Sequence, residues 1–561
     1  MKYFALSLAA ALLVGAAPPP VYDVIIKGGT IYDGSGGAPY LGDVAIKGDR
    51  IAAVGTVKGS AAKVVDAKGL AVAPGFINML SWATESLMID GLGQSDLRQG
   101  ITLEVMGEGW SMGPITTQMK SVLEARQGDF RYKIGWSTLG DYLSFMEKKG
   151  IAPNIASFVG ATTVRVNVLG EGDVDPNPAQ LAQMQGLVRQ AMDEGAMGVG
   201  SALIYAPGTY AETGELVALA KAAAGCGGSY ISHMRSEGDR LIESIDELID
   251  ISRQSGAPAQ IYHLKMAGKE NWGKYDAAIA RVNAARAAGM KISANMYTYT
   301  AGATGLDAAM PTWAQAGGLE AWIDRLKDPA TRAKVAAEMK APGKGWENLF
   351  YGAGPEGMLF TGFKNPALKP LTGKTLAEVA RMRGKSPEET AIDLVIEDGS
   401  RVDTIYFLMS EDNVRKQVAL PWMSFGSDAE AQAPEGVFLK SSTHPRAYGN
   451  FARVLGRYVR DEQRMSLADA VRRLSALPAA NIGIVDRGSL KAGNYADVVL
   501  FDPATIADHS TFEKPQVYAT GVRDVFVNGV QALKNGAPTG AKPGRAVHGP
   551  GFGRCPATPA D

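Results

Sequence analysis

The sequence predicts an α/β protein: a (β/α)8 barrel of the TIM type carrying a small β-sandwich domain assembled from both chain ends. Three observations point there. Through the middle of the chain, short apolar runs alternate with amphipathic stretches of helical period, the mark of repeated βα units and a parallel sheet. Both ends instead alternate apolar and polar residues between glycine-containing turns, as antiparallel strands do. Two of only five histidines fall at the ends of successive predicted strands, where this architecture keeps its chemistry.

A chain of 561 residues exceeds what one small core organises, so a large domain and a smaller companion are expected. Hydrophobic residues at 46% and charged residues at 20% are those of a globular protein, neither disordered nor a bundle of membrane spans. With 57 Lys+Arg against 58 Asp+Glu there is no basic footprint for nucleic acid, and a small-molecule substrate is the expected partner. Residues 1–20 combine Lys2, an apolar run from Tyr3 to Val14, and small residues before Pro18. They read as a secretory signal peptide, which predicts a periplasmic or secreted protein with no stable membrane span after its removal; a retained anchor is the alternative. Cys226 and Cys555 lie far apart, one in a predicted core segment and one in a Gly/Pro-rich tail, so neither a disulfide nor a cysteine metal cage is expected.

The β-sandwich is placed at 22–72 and 485–540. Its strands are Asp23–Lys27, Asp43–Lys47 and Arg50–Val54 at one end, with Ala496–Phe501 and Val522–Val527 before the Asn528-Gly529 turn at the other. The barrel occupies 73–484. Its eight strands are expected at Ala71 to Leu80, Leu103 to Gly107, Ala156 to Val159, Gly198 to Ala202, Tyr230 to His233, Gln260 to Leu264, Ile292 to Met296 and Met423 to Asp428. The clearest helices are Leu241 to Gln254 and Ala277 to Ala288. Residues 304–364 fit no βα unit and read as an insertion over the barrel mouth, able to form a lid. The last stretch, 541–561, is a Gly/Pro/Ala-rich arm, poorly ordered or wrapped on the surface.

The fifth predicted strand ends in His233, the sixth in His263 and the eighth in Asp428. Two imidazoles with carboxylate ligands suit Zn²⁺, which polarises a carbonyl and lowers the pKa of bound water. Asp428 is the candidate general acid/base beside them. The plainer alternative is that both histidines are satisfied core residues and Asp428 caps a helix. Arg446 offers a planar fork suited to a carboxylate, and Lys265 a second cation two residues beyond His263; an internal salt bridge and a surface lysine are the alternatives.

Several stretches together carry a resemblance: Val24-Ile25-Ile26-Lys27-Gly28-Gly29, Pro74-Gly75-Phe76-Ile77, His233-Met234-Arg235-Ser236-Glu237-Gly238-Asp239, His263-Leu264-Lys265, Tyr297-Thr298-Tyr299, Gly426-Ser427-Asp428 and His444-Pro445-Arg446. The chain resembles the D-aminoacylase (N-acyl-D-amino-acid deacylase) branch of the amidohydrolase superfamily from Asp23 to about Pro538. That branch usually follows Pro-Gly-Phe-Ile with Asp-x-His-x-His, but here Leu80 and Trp82 occupy the histidine positions, and neither coordinates a metal. The resemblance therefore implies a single Zn²⁺ per chain, held by His233, His263 and a residue after the second strand. The branch usually has cysteine there. This turn reads Gly107-Glu108-Gly109-Trp110, which makes Glu108 the candidate ligand although an ungapped match aligns Gly109 with the cysteine; a capping carboxylate is the alternative. The fourth strand end, Gly198–Ala202, lacks a lysine, so no carbamylated bridge is expected.

The resemblance also implies that Lys265, Tyr297 and Arg446 bind the carboxylate of the substrate. Trp82, Trp110 and Met112 at the mouth fit a bulky acyl group, or merely fill the space of absent ligands. Packing is the expected role of His444; His509 and His548 have none in catalysis. The leading expectation is hydrolysis of the amide bond of an N-acyl amino acid, of the D series. An exported dipeptidase, lactonase or esterase on the same barrel, and a non-catalytic binding protein, are the alternatives.

Overall fold

The computed structural model describes residues 21–555; the leader expected over 1–20 and the end of the tail, 556–561, lie outside the described residues. Six strands form one parallel sheet in the order Met423–Phe425, Ile292–Met296, Ala259–Ile261, Ser229–His233, Gly198–Ala202, Val159–Gly160. A second parallel sheet holds Phe76–Asn78, Ile101–Met106 and Asn154–Ser157. Every residue of these strands is buried, as expected for parallel strands covered on both faces. Hydrogen bonds join the two sheets at both edges. Met197, just before Gly198–Ala202, donates its N–H to Ser157 O at 3.0 Å, while Met79 N–H reaches Phe425 O at 3.1 Å and Asp428 N–H reaches Leu80 O at 2.8 Å. Inside lies an apolar cluster that includes Ile77, Leu103, Phe158, Ile231 and Tyr262.

The covering helices carry their own start and stop signals. Pro178–Asp193 begins on a capping box of Asn177 and Gln180 with proline in its first turn. Leu241–Ser255 ends at Gly256, whose φ of 76° closes the last turn. Tyr275–Ala287 then leads to the strand Ile292–Met296.

The two chain ends meet where Ala71–Pro74 pairs antiparallel with Val498–Phe501. Where a sandwich is expected, the strands are hydrogen-bonded into one nine-stranded sheet. It encloses its own apolar cluster, including Val24, Ile46, Val72, Val498 and Phe526. A further excursion leaves after Ile292–Met296. Strands Ala301–Gly305, Asp403–Phe407 and Met358–Gly362 form a three-stranded antiparallel sheet in that order, with four helices of eight or more residues between them, from Leu319–Lys327 to Pro387–Asp398. The segment read as an insertion over 304–364 is thus part of a longer one, because Asp403–Phe407 is its central strand. Among the described residues no helix is long and apolar enough to cross a membrane.

Residues 541–555 of the tail run along the amino-terminal side of the parallel strands. Ile155 N–H donates to Arg545 O at 3.0 Å, Val547 N–H to Ile155 O at 2.8 Å and Gly553 N–H to Asp193 O at 2.9 Å. One expectation is corrected here: Cys226 and Cys555 form a disulfide, with Cα atoms 5.3 Å apart across a sequence separation of 329. Distance along the chain misleads because the tail returns beneath the helix Thr213–Ala224, next to which Cys226 lies. Opening a loop of this length costs about 2–5 kcal/mol. Cys555→Ser should therefore lower the thermal midpoint under non-reducing conditions and abolish the difference between oxidised and reduced protein; a midpoint unmoved by either change would contradict the cross-link.

Candidate active site

Four polar side chains enter from the carboxyl ends of different strands. Glu108 sits in the turn after Ile101–Met106, between two glycines that pass close to neighbouring backbone. A Cβ on Gly107 would lie 2.3 Å from Phe158 O, and one on Gly109, at φ +67°, would lie 2.6 Å from Ala202 Cβ. No side chain fits at 109, so Glu108 is the residue of this turn that reaches the interior. His233 terminates the strand Ser229–His233. His263 and Asp428 follow their strands with φ of 31° and 50°, left-handed backbone that non-glycine residues adopt rarely and chiefly at constrained sites. Neighbouring strands hold both: His263 N–H donates to Asn295 Oδ1 at 2.9 Å, and Asp428 N–H to Leu80 O.

Glu108 Oε1 is 3.0 Å from His233 Nδ1 and 2.8 Å from His263 Nε2. Its other oxygen accepts from the Trp82 indole N–H at 3.1 Å, and the same N–H is 3.1 Å from Asp428 Oδ1. The second oxygen of Asp428 pairs with Arg446 Nη1 at 2.7 Å. Behind the histidines, Glu237 lies 2.9 Å from His263 Nδ1 and 3.6 Å from His233 Nε2. Lys265 Nζ donates to both Glu237 oxygens, at 2.7 and 2.8 Å, and lies 2.7 Å from His263 Nδ1.

Burial acts on each of these groups, and the neighbours decide the outcome. Burial favours neutral Glu108, but the imidazoles of His263 and His233 outweigh it and hold the carboxyl below the usual range. Burial and Lys265 both disfavour charge on His263, yet Glu237 and Glu108 prevail and push it up to about 9. Glu237 is likewise held low, with Lys265 the largest influence against burial. Asp428 goes the other way: burial raises it, and Arg446 offsets only part of the rise. A largely enclosed carboxyl held above its ordinary range is suited to exchanging protons.

The donor set fits a metal ion. One atom each from Glu108, His233 and His263, all buried, lie within 4.8 Å of one another, and two nitrogens with one carboxylate oxygen suit zinc. His233 Nδ1 and His263 Nε2 are the nitrogens that face Glu108, whereas His233 Nε2, without a hydrogen-bond partner, looks back toward Glu237. Glu237 stands where a carboxylate orients the far side of a ligating histidine.

Of the residues singled out in the sequence, Glu108, His233, His263 and Asp428 converge. Arg446 and Tyr297 join them: the guanidinium lies 4.5 Å from the Tyr297 ring centre. Arg446 Nε and the Tyr297 hydroxyl are buried without hydrogen-bond partners. Lys265 is placed differently, with its ammonium in a buried pair with Glu237 and 5.6 Å from the Tyr297 ring. His444 accepts from Arg446 N–H at 3.0 Å and faces Ala301 O at 2.9 Å, a packing role that seats Arg446. Glu237 is quoted in the sequence only within the stretch that carries the resemblance and is given no role there; Tyr205, whose ring centre is 5.2 Å from that of His233, and Glu347, which accepts from Glu237 N–H at 2.6 Å, are not singled out at all. Residues 234–238 are loop, so the spacing from His233 is no signal by itself, and none exists for Glu347, which arrives from the long excursion.

Residues 63–532 match the sequence profile of the amidohydrolase family. The chain belongs to the amidohydrolase family. As such it is a hydrolase of carbon–nitrogen bonds. It is similar to D-aminoacylase of Alcaligenes xylosoxydans xylosoxydans, 32% identical over 531 residues that cover 94% of this chain and 97% of that protein. Among solved structures it resembles a D-aminoacylase described by its binuclear metal centre, with one-metal activation and second-metal attenuation, at 31% identity, TM-score 0.77, and 94% and 100% coverage of the two chains. It also resembles N-acyl-D-glutamate deacylase from Bordetella bronchiseptica, solved with zinc and a phosphonate mimic of the tetrahedral intermediate, at 28% identity, TM-score 0.76, and 94% and 100% coverage.

Two measurements check this amidohydrolase site. In the metal-free protein His263 keeps its proton up to about 9, and a metal must displace it. Apparent zinc affinity should therefore strengthen about tenfold per pH unit from about pH 7 to about 9 and level off above; competition with a chelating indicator reads this, and an affinity flat in pH would contradict it. Glu237→Gln should weaken zinc binding by about 10- to 100-fold, whereas a purely structural Glu237 would change the melting temperature and leave affinity alone.

Proposed function

We propose that this chain hydrolyses the amide bond of an N-acyl amino acid of the D series, with one zinc ion held by Glu108, His233 and His263 and with Asp428 as general acid/base. One observation carries the reading: three ligand atoms lie within 4.8 Å of one another at the ends of different strands, and Trp82 links their carboxylate to that of Asp428. We read the two parallel sheets as one closed (β/α)8 barrel, a reading supported by the hydrogen bonds from Met79 to Phe425 and from Asp428 to Leu80.

Glu108, His233 and His263 would hold the zinc ion, which when bound would supply Lewis-acid polarisation of the scissile carbonyl and a lowered pKa for the attacking water. Asp428 takes the proton of that water and returns it to the departing amine. The C–N bond breaks, leaving a carboxylic acid and a free amino acid. Arg446 and Tyr297 hold the substrate carboxylate, since the guanidinium Nε and the phenol are neighbouring buried donors without hydrogen-bond partners. Arg446 thereby reaches the substrate through Nε while Nη1 stays on the second oxygen of Asp428. Lys265 stays with Glu237 and adds positive potential near the Tyr297 ring. The deacylases among the relatives support this substrate class, and the D series is taken from them. Export to an oxidising compartment is supported by the Cys226–Cys555 disulfide.

Asp428→Asn should abolish turnover of N-acyl-D-amino acids while the protein retains about one equivalent of zinc. Unchanged turnover would refute the shuttle, and a panel that favours dipeptides or lactones would replace the substrate class. Anomalous diffraction at the zinc edge should place the ion between His233 and His263.

A further inference from the structure

We propose that the indole N–H of Trp82 occupies the place of a second cation between the two site carboxylates, so that this enzyme works with one metal ion and takes up no other. Trp82 Nε1 lies 3.1 Å from Glu108 Oε2 and 3.1 Å from Asp428 Oδ1. Two buried carboxylates facing one point repel each other and attract whatever positive charge can enter between them. A metal would bring two unit charges. The indole brings one N–H dipole, donates only, and has no lone pair to coordinate.

The ring is anchored rather than incidental. Trp82 N–H donates to Ala429 O at 3.0 Å and Ser81 N–H to Val105 O at 2.9 Å, which tethers this segment to the strands that deliver Asp428 and Glu108. Leu80, two residues earlier, is fully buried in the inner apolar cluster and offers no ligand. Trp82 is therefore a positioning residue with two consequences. It turns Oε2 of Glu108 away from the histidines, leaving Oε1 to face His233 and His263, and it holds Asp428 beside the same centre. It also fills the position where a second ion would draw on both carboxylates, and so removes the structural basis for attenuation by excess metal, which the related D-aminoacylase is described as having.

This inference rests on Glu108 as ligand and Asp428 as shuttle, and the test separates the two levels. Zinc content after dialysis against a large excess is measured for wild type, Trp82→Phe and the double variant Leu80→His/Trp82→His, alongside kcat and KM on an N-acyl-D-amino acid with rising zinc. Wild type should hold one equivalent and keep its rate in excess zinc. Trp82→Phe should keep one equivalent but lose about 10- to 100-fold in kcat with KM little changed, as expected when a hydrogen bond to a charged group disappears. The double variant should bind about two equivalents and slow as zinc is added. A second equivalent or zinc inhibition in wild type overturns the inference, as does full kcat in Trp82→Phe, or a single equivalent in a double variant that melts like wild type. If the double variant does not fold, wild-type stoichiometry and the Trp82→Phe kinetics decide. Metal content is read without turnover, so an inactive wild type or an active Asp428→Asn sinks the proposed function and leaves the stoichiometric claim to stand or fall by itself.

Discussion

Glu108 is a buried carboxylate whose two oxygens are both claimed: two imidazoles face Oε1, in the proposed enzyme with an ion taking the place of their protons, while an indole N–H holds Oε2. A buried negative charge without such partners would be expelled or neutralised, so the site and the charge state of Glu108 stand together. The turn that presents it depends on Gly107 and Gly109, whose neighbours leave no room for a Cβ. Remove that turn and the histidines face each other around nothing.

Charge around Glu108 is organised in pairs drawn from distant parts of the chain. Glu237 and Lys265 are each 5% exposed and lie behind the histidines; Asp428 and Arg446 lie in front, with Asp428 11% exposed. A buried pair of this kind adds little net stability and much definition of geometry, since breaking it strands a charge. The rear pair is committed, with both Glu237 oxygens taken by one ammonium. The front pair is half-open, with a guanidinium nitrogen and a nearby phenol left unsatisfied. That asymmetry separates a support from a binding surface.

Beneath the site, a buried polar layer continues the support downward. Asn78 donates to Glu104 at 2.9 Å and to Ser427 at 2.8 Å, and accepts from Ser427 N–H. Burial raises both Glu104 and its neighbour Asp96 above the usual carboxylate range, in contrast to Glu108 and Glu237 in the layer above, which their cationic neighbours hold low. Asn78 thereby locks the residue before Asp428 to the first and second parallel strands, which is one reason Asp428 can keep its left-handed backbone.

Most of the parallel strands, His233, His263 and Asp428 were legible in the sequence because a buried parallel strand is a continuous apolar run, and a polar residue at its end stands out against it; the first strand, expected at Ala71 to Leu80, is instead divided, Ala71–Pro74 joining the nine-stranded sheet and only Phe76–Asn78 the parallel one. Glu108 was legible once the strand before it was placed. What lay beyond reach shares one property: it depends on which distant segments become neighbours. The pairing of Lys265 with Glu237, the arrival of Glu347, the extent of the excursion to Asp403–Phe407, and the meeting of Cys226 with Cys555 across 329 residues leave no local pattern. Trp82 shows the divide within one residue. The sequence by itself determined that position 82 has no metal-coordinating side chain; only the tertiary structure decided that its indole N–H would lie between two carboxylates, because chain identity sets what a side chain can donate while folding sets what it faces.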